Sequence, residues 1–344
     1  MKLEDFWYVV ALSKRLKPHQ VIARSVLGEW LAIFRGPDGQ AVALPDRCMH
    51  RNSRLSTGAV RQGQLHCPYH GWVYDAQGQV VDVPSEGEFF QRYLKQQQTR
   101  CVKRYDVREH DGYVYVRLNS MPTESVAPFV MPHYGEAGWE TVRVINRFAN
   151  TVTNCAENFI DIPHTVSVHP GVFRSPRRQQ LEMQVDRVNG SVVATYAQET
   201  DNLGWYRAFL NPDGKEIRHI DRYFMPNVTS VEYDLGHHRQ CFITSQSVPE
   251  TENSTLVYTD VTYNYGLWNK LARPFVWWTA QHIIGQDVAI LKVQGETITK
   301  YGEQFSNTPA DTIHVFVESI WRALERGEDP RLLPEKSVHI KFWV

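Results

Sequence analysis

Apolar and polar positions in the first third of the chain form short runs of strand type. Residues 7–12, 29–35, 41–44 and 112–118 are rich in aromatic and β-branched side chains and predict strands. Gly36-Pro37-Asp38-Gly39 and Asp75-Ala76-Gln77-Gly78 are turn signals. A Pro- and Gly-dotted stretch over 119–138 reads as a linker, so domains are expected at 1–120 and 121–344. Beyond it, strands over 181–196 (with a turn at Asn189-Gly190), 239–247 and 255–265 precede a long helix over 274–301 and a last helix over 310–326. In the tail, Val338, Ile340, Phe342 and Val344 alternate with His339 and Lys341, which predicts a final strand. The fold class expected is α+β: a small all-β domain, then an antiparallel sheet folded around a long helix.

Composition narrows the classes. A chain of 344 residues is long enough for two domains with cores. With 37 basic and 38 acidic residues the net charge is −1, so no overall field favours nucleic acid or an anionic membrane. The apolar runs fall short of a bilayer span. Met1-Lys2-Leu3-Glu4-Asp5-Phe6 places acids where a signal peptide has basic and then apolar residues. Of five cysteines, Cys101, Cys155 and Cys241 form no regular framework, which points to reduced thiols and a cytoplasmic setting.

The densest chemistry lies at Cys48-Met49-His50 and Cys67-Pro68-Tyr69-His70, separated by 16 residues. Each half offers one thiolate and one imidazole. A Rieske [2Fe–2S] cluster takes both Cys on one iron and both His on the other. The same four residues could hold a single tetrahedral zinc. Gly58, Gly63 and Gly71 punctuate the segment and Pro68 stiffens the second loop. Arg47, Arg51, Arg54 and Arg61 crowd the loops, as a solvated rim or as a docking patch for an acidic redox partner.

A second constellation is Asn154-Cys155-Ala156-Glu157-Asn158-Phe159-Ile160-Asp161-Ile162-Pro163-His164-Thr165-Val166-Ser167-Val168-His169. Five residues apart, His164 and His169 would lie about 140° around a regular helix, and converge only if the helix kinks or ends between them. Pro163 supplies a break. On the predicted long helix, Asp287 has Ile283, Ile284, Ile290 and Leu291 as its neighbours one turn away, which turns its carboxylate toward the core. Glu296 and Asp260 are weaker carboxylate candidates.

These motifs resemble the Rieske non-haem iron oxygenases, specifically their catalytic (alpha) subunits. Asn158, Asp161, His164 and His169 follow that family's Asn-x-x-Asp-x-x-His-x-x-x-x-His pattern, and Asp287 stands in the place of its distal ligand. Gln286 stands where many relatives carry Glu. The resemblance implies an N-terminal Rieske domain and a helix-grip (START/Bet v 1-like) catalytic domain. It also implies one [2Fe–2S] cluster on Cys48, His50, Cys67 and His70, and one Fe(II) on His164, His169 and Asp287, with Asn158 near the iron. It further implies a head-to-tail homotrimer in which Asp161 links His164 to His70 of the next subunit. With no Gly-x-Gly-x-x-Gly after a strand, electrons from NAD(P)H would come through a separate ferredoxin or reductase.

The expected activity is hydroxylation or oxidative demethylation by O2 of a small apolar or aromatic compound, monooxygenation being favoured by chain length. Alternatives are ring cis-dihydroxylation within the family or, outside it, a Rieske electron carrier or a zinc-binding module. Trp205, Tyr206, Phe209, Tyr223, Phe224, Trp277 and Trp278 would suit an aromatic substrate or an ordinary core.

Overall fold

The computed structural model describes residues 1–90, 100–122, 124, 126–172, 178–197, 217–236 and 239–344. Trp205, Tyr206 and Phe209 lie outside these residues. The chain divides into two compact units, one of residues 4–130 and one of residues 1–3 with 131–344.

The first unit is built of ten short strands among its described residues. They are β1 (Tyr8–Leu12), β2 (Ile22–Val26), β3 (Glu29–Arg35), β4 (Ala41–Pro45), β5 (Ala59–Arg61), β6 (Gln64–His66), β7 (Val73–Tyr74), β8 (Val80–Asp82), β9 (Asp106–His110) and β10 (Tyr113–Arg117). They pair in the orders β1-β10-β9, β2-β3-β4 and β5-β6-β7-β8. Gly36 to Gly39 closes the β3–β4 hairpin and Asp75 to Gly78 connects β7 to β8, where the turn residues predict them. Phe34, Val42, Leu44, Leu55, Leu65 and Tyr74 form a core that also takes in Cys48 and Cys67. Gly58 serves close packing: a Cβ there would strike the carbonyl of His66, just before Cys67.

In the second unit β11 (Glu140–Phe148) leads into helix α1 (Val152–Ile160) and the single turn α2 (Thr165–Val168). Then come β12 (Gln180–Val188), β13 (Ser191–Tyr196), β14 (Arg218–Phe224), β15 (Val228–Asp234), β16 (Gln240–Thr251) and β17 (Ser254–Asn264). Helices α3 (Asn269–Tyr301) and α4 (Thr312–Glu325) and strand β18 (Lys336–Trp343) complete it. The sheet runs β11-β17-β16-β15-β14-β13-β12-β18, and every pairing is antiparallel. Asn189 and Gly190, both at positive φ, make the β12–β13 turn that alternation with Asn-Gly predicts. Two clusters cover the sheet. Ala280, Ile284 and Leu291 of α3 pack with Val142, Phe148, Val257 and Val261. Ile313, Phe316, Val317 and Ile320 of α4 pack with Val185, Val192 and Ala194. Helix α1 serves both, with Cys155 in the first and Ala156 and Ile160 in the second.

The long helix starts at Asn269, earlier than Pro274 suggests. A proline near a helix start gives up one backbone bond, and Asn269 anchors the first turn. Its Oδ1 accepts from the Tyr265 N–H at 2.6 Å, and its Nδ2 donates to the Gly138 carbonyl at 2.7 Å. Further along, α3 presses on the turn between β11 and α1. Asn150 Nδ2 donates to the Leu291 carbonyl at 2.8 Å, and a Cβ on Gly295 would collide with the Ala149 carbonyl oxygen. Gly295→Ala is expected to force the helix off this turn and cost about 1–3 kcal/mol, the usual penalty of overpacking. A lowered Tm in thermal unfolding, with weakened iron retention, is the expected result.

Candidate metal centres and substrate cavity

The Cys48 and His50 loop follows β4, and the Cys67 to His70 loop joins β6 to β7. Asp46, buried beside the first loop, braces it. Its carboxylate accepts from Arg54 Nε at 2.8 Å, the Ser56 N–H at 2.6 Å and the Ser56 hydroxyl at 2.7 Å. The Cys48 N–H donates to the Ser53 carbonyl at 2.8 Å and the Cys67 N–H to the Trp72 carbonyl at 2.8 Å, which closes both loops. The thiols lie inward and the imidazoles outward: Cys48 is 1% exposed and Cys67 4%, whereas His50 is half-buried and His70 exposed. The His50 and His70 rings stand 4.6 Å apart, and Trp72 stacks on His50 at 4.7 Å.

The donors fit a two-iron cluster. Burial raises the Cys67 thiol, the backbone N–H groups of Tyr69 and His70 oppose this, and Cys48 beside it raises it further. Burial, then His70, Arg51 and Arg100, push His50 down toward the neutral, metal-binding form, and its Nδ1 is buried without a hydrogen-bond partner. Two thiolates and two imidazoles on paired loops are the donor set of a Rieske cluster, both Cys to one iron and both His to the other. Tyr74, not anticipated from sequence, accepts from the Met49 N–H at 3.1 Å, and its hydroxyl lies 3.1 Å from Cys48 Sγ, to which it donates when that sulfur is a thiolate.

Arg47, Arg51 and Arg61 are exposed at the loops, while Arg54 is committed to Asp46 and lies over the Trp30 ring at 4.4 Å. Exposed Met49 and Tyr69 flank the histidines.

At the second centre, α1 ends at Ile160, before Pro163. His164 and His169 then bracket the single turn α2 as its N- and C-cap, and His169 leaves helical geometry at φ −121°, ψ 57°. The helix thus ends at the second histidine, and the two rings come to 5.3 Å between centroids. Asp287 faces them from α3. Of its four apolar neighbours only Ile284 and Leu291 are buried; Ile290 is exposed and Ile283 intermediate. The buried stripe is instead Ala280, Ile284, Asp287, Leu291 and Gly295, so the carboxylate occupies a core position of the helix.

Ligand atoms of His164, His169 and Asp287 all lie within 4.8 Å of one another. The rings are held from behind. His164 Nδ1 donates to Asp161 Oδ2 at 3.1 Å, and the same oxygen accepts the His164 N–H at 3.0 Å. His169 Nδ1 donates to Gln286 Oε1 at 2.7 Å. With both Nδ1 protons so placed, Nε2 of each ring presents a lone pair toward Asp287 Oδ1, at 3.7 Å for His164 and 3.0 Å for His169. Asp287 Oδ1 is buried and receives no hydrogen bond. Lone pairs facing an ionised carboxylate need a cation between them. Burial lowers His169, but Asp287 and then Gln286 more than reverse this, so the ring is raised from its ordinary value. Two imidazoles and one carboxylate on one side of a site are the donor set of a non-haem Fe(II). Asp260 pairs with Arg143 at 3.0 Å and Glu296 is exposed, so neither joins the group.

The triad lies on a cavity of about 590 Å³. Asn158, Asp161, Val231, Ile243, Val261 and Ile284 are among its walls. Asn158 Oδ1 is buried with no hydrogen-bond partner. Of the aromatic residues singled out from sequence, Tyr223 is in the core, and Trp277 and Trp278 are exposed on α3.

A quartet suited to a two-iron cluster and a triad suited to Fe(II), on this pair of folds, are the arrangement of the Rieske non-haem iron oxygenase family. Residues 6–106 match the Rieske [2Fe-2S] domain. Residues 149–325, more than half of the chain, match the vanillate O-demethylase oxygenase C-terminal domain, and the protein belongs to that family. It is 30% identical over 210 residues to methylxanthine N1-demethylase of Pseudomonas putida, covering 58% of this chain and 57% of the relative. It is 29% identical over 195 residues to the oxygenase component of dicamba O-demethylase of Stenotrophomonas maltophilia, covering 56% and 55%. The chain spans about half the length of the curated relatives it matches first. The fold matches that of dicamba monooxygenase bound to dicamba with a TM-score of 0.78 at 21% identity, covering 94% of this chain and 98% of the other.

Tyr74→Phe removes a hydrogen bond that favours the more negative, reduced cluster. The midpoint potential is expected to fall by about 40 mV, the one-electron equivalent of a hydrogen bond of about 1 kcal/mol. Protein-film voltammetry measures it; an unchanged potential would show that the Tyr74 hydroxyl does not act on the cluster.

Proposed function

We propose that this protein is the oxygenase component of a multi-component system. It would use O2 and electrons from NAD(P)H, delivered by a separate ferredoxin or reductase, to hydroxylate or oxidatively demethylate a small apolar or aromatic compound. The convergence of His164, His169 and Asp287 on one point of a large, mainly apolar cavity carries this reading. An electron carrier needs no such triad. The names of the relatives, demethylases and a monooxygenase system subunit among them, support the same reaction class.

When bound, the cluster supplies electrons one at a time and Fe(II) supplies open positions for oxygen activation. Cys48 and Cys67 would hold one iron of the cluster, His50 and His70 the other; His164, His169 and Asp287 would hold Fe(II). Asp161 and Gln286 fix the ring planes of His164 and His169, and so aim both Nε2 atoms. Asn158 offers an amide oxygen at the cavity wall. The wall residues Val231, Ile243 and Val261 hold the substrate's apolar body and keep bulk water from the reacting carbon.

The finer assignments follow the same line. Arg47, Arg51 and Arg61 form the docking rim for an acidic electron donor. Asp161 bridges His164 to His70 of the neighbouring copy in a head-to-tail homotrimer. Exposure of His70 and a 23% exposed Asp161 side chain support this bridge.

Anaerobically purified protein is expected to hold about three irons and two sulfides per chain and to show a reduced-cluster EPR signal. Two irons with no third would leave an electron carrier, and colourless protein with zinc would end the redox reading. Asp161→Asn should retain both metal contents and lose most turnover; normal turnover would remove the bridge. Replacing Arg47 and Arg61 with Gln should slow reduction by the protein donor about tenfold at low salt and leave dithionite reduction unchanged. Equal slowing by both reductants would exclude docking at this rim.

A further inference from the structure

The cavity wall carries a second polar centre that the proposed chemistry does not use. Apart from the triad and Asp161, the ionisable groups among its described lining residues are His219, Asp221 and Arg239, with the thiol of Cys241 and the phenols of Tyr233 and Tyr265. His219 and Asp221 lie two apart on β14, on the same face, each 2% exposed. His219 Nε2 donates to Asp221 Oδ1 at 2.9 Å. The imidazole is clamped between two phenol rings, Tyr196 and Tyr233, each stacked on it at 4.5 Å. Tyr233 is its cross-strand partner on β15, so the clamp is built by sheet register.

Such a pair is poorly explained by stability. Withdrawing two ionisable groups from water costs several kcal/mol each, and well-packed apolar residues of similar size commonly serve a core equally well. Here the surrounding wall is Val231, Leu235, Ile243 and Val261, apolar side chains that could have continued across β14. The clamp also spends two aromatic rings on fixing the plane of one imidazole, as a recognition site requires.

Resting on the oxygenase reading, we propose that the His219–Asp221 pair anchors the substrate through an oxygen that accepts a hydrogen bond, a carbonyl or carboxylate on an otherwise apolar molecule. Asp221 holds one edge of the ring, and an imidazolium beside the carboxylate leaves the pair neutral within the apolar wall. The other ring nitrogen is then a donor in a fixed direction. Val231, Ile243 and Val261 take the apolar body, and the carbon to be oxidised is left on the side of His164, His169 and Asp287.

The test uses the iron-loaded protein and two probes of nearly equal shape, 4-methoxyacetophenone and 4-isopropylanisole, with binding measured by equilibrium dialysis. The ketone is expected to bind the unaltered protein about tenfold more tightly, the effect of one hydrogen bond to a charged donor. His219→Phe, and separately Asp221→Asn, should each bring the two probes to equal affinity while circular dichroism and iron content stay unchanged. Equal binding by the unaltered protein, no measurable ketone binding, or a preference that survives in both variants would overturn the proposal. Iron and sulfide content, measured on the same samples, reports on the oxygenase reading separately, so the two can fail independently.

Discussion

A buried carboxylate facing two imidazole lone pairs is the constraint around which the second unit is arranged. Asp287 is 4% exposed, and its Oδ1 faces the Nε2 atoms of His164 and His169. Unpaired, such a charge would cost several kcal/mol. The cost is offset when a cation sits between the three groups, so the fold must bring them together to within a few tenths of an ångström. Helix α3 does this by carrying Asp287 on the same stripe as Ala280, Ile284, Leu291 and Gly295, so core packing itself sets the ligand's position. Gly295 lets that helix lie against the Ala149 carbonyl, and Asn150 bonds to Leu291 one turn beyond Asp287. The next residues form α1 and lead to the histidines. One close approach of backbone to backbone thus locates both halves of the triad.

How much of this was legible in the sequence depended on range. The Cys48 to His70 spacing, the β3–β4 and β12–β13 turns and the alternation of β18 are local patterns, and they describe the observed elements. The His164 and His169 pair was legible as a motif, but its geometry arises from α1 ending at Ile160 and α2 ending at His169, more than from a kink in one helix. Asp287 was singled out for four apolar neighbours, two of which are not buried. The physical reason was the stripe, which only tertiary packing reveals. Asp46, Tyr74 and the His219–Asp221 pair carried no signal, because each acquires meaning from a partner across a loop or strand. Gln286 was noted only as a departure from Glu. Its amide oxygen can still accept from His169 Nδ1, without adding a negative charge beside the triad.

The same separation of polar and apolar tasks runs through the cavity. Most of its described wall is apolar, and two of its polar places are the triad with Asn158 and Asp161, and the His219–Asp221 pair on β14. Two polar places on an apolar wall can hold a molecule at one end and expose the other, whereas a uniformly apolar wall would leave its orientation undetermined.

The orientation of the cluster loops follows from a comparable division. Both cysteines belong to the core of the first unit, with Leu55, Leu65 and Tyr74 around them, while His70 is exposed and His50 half-buried. A cluster held by these four residues would have its thiolate-bound iron inside and its imidazole-bound iron at the surface. Imidazoles are neutral ligands, so the outer iron is the more readily reduced of the two. Arg51 and Arg100 add positive potential at His50 and favour that reduction further. The added electron would then rest at the surface edge, beside His70, where the path to a neighbouring acceptor is shortest. Burying the cysteines and exposing the histidines would therefore place the reducible iron of such a cluster at the surface.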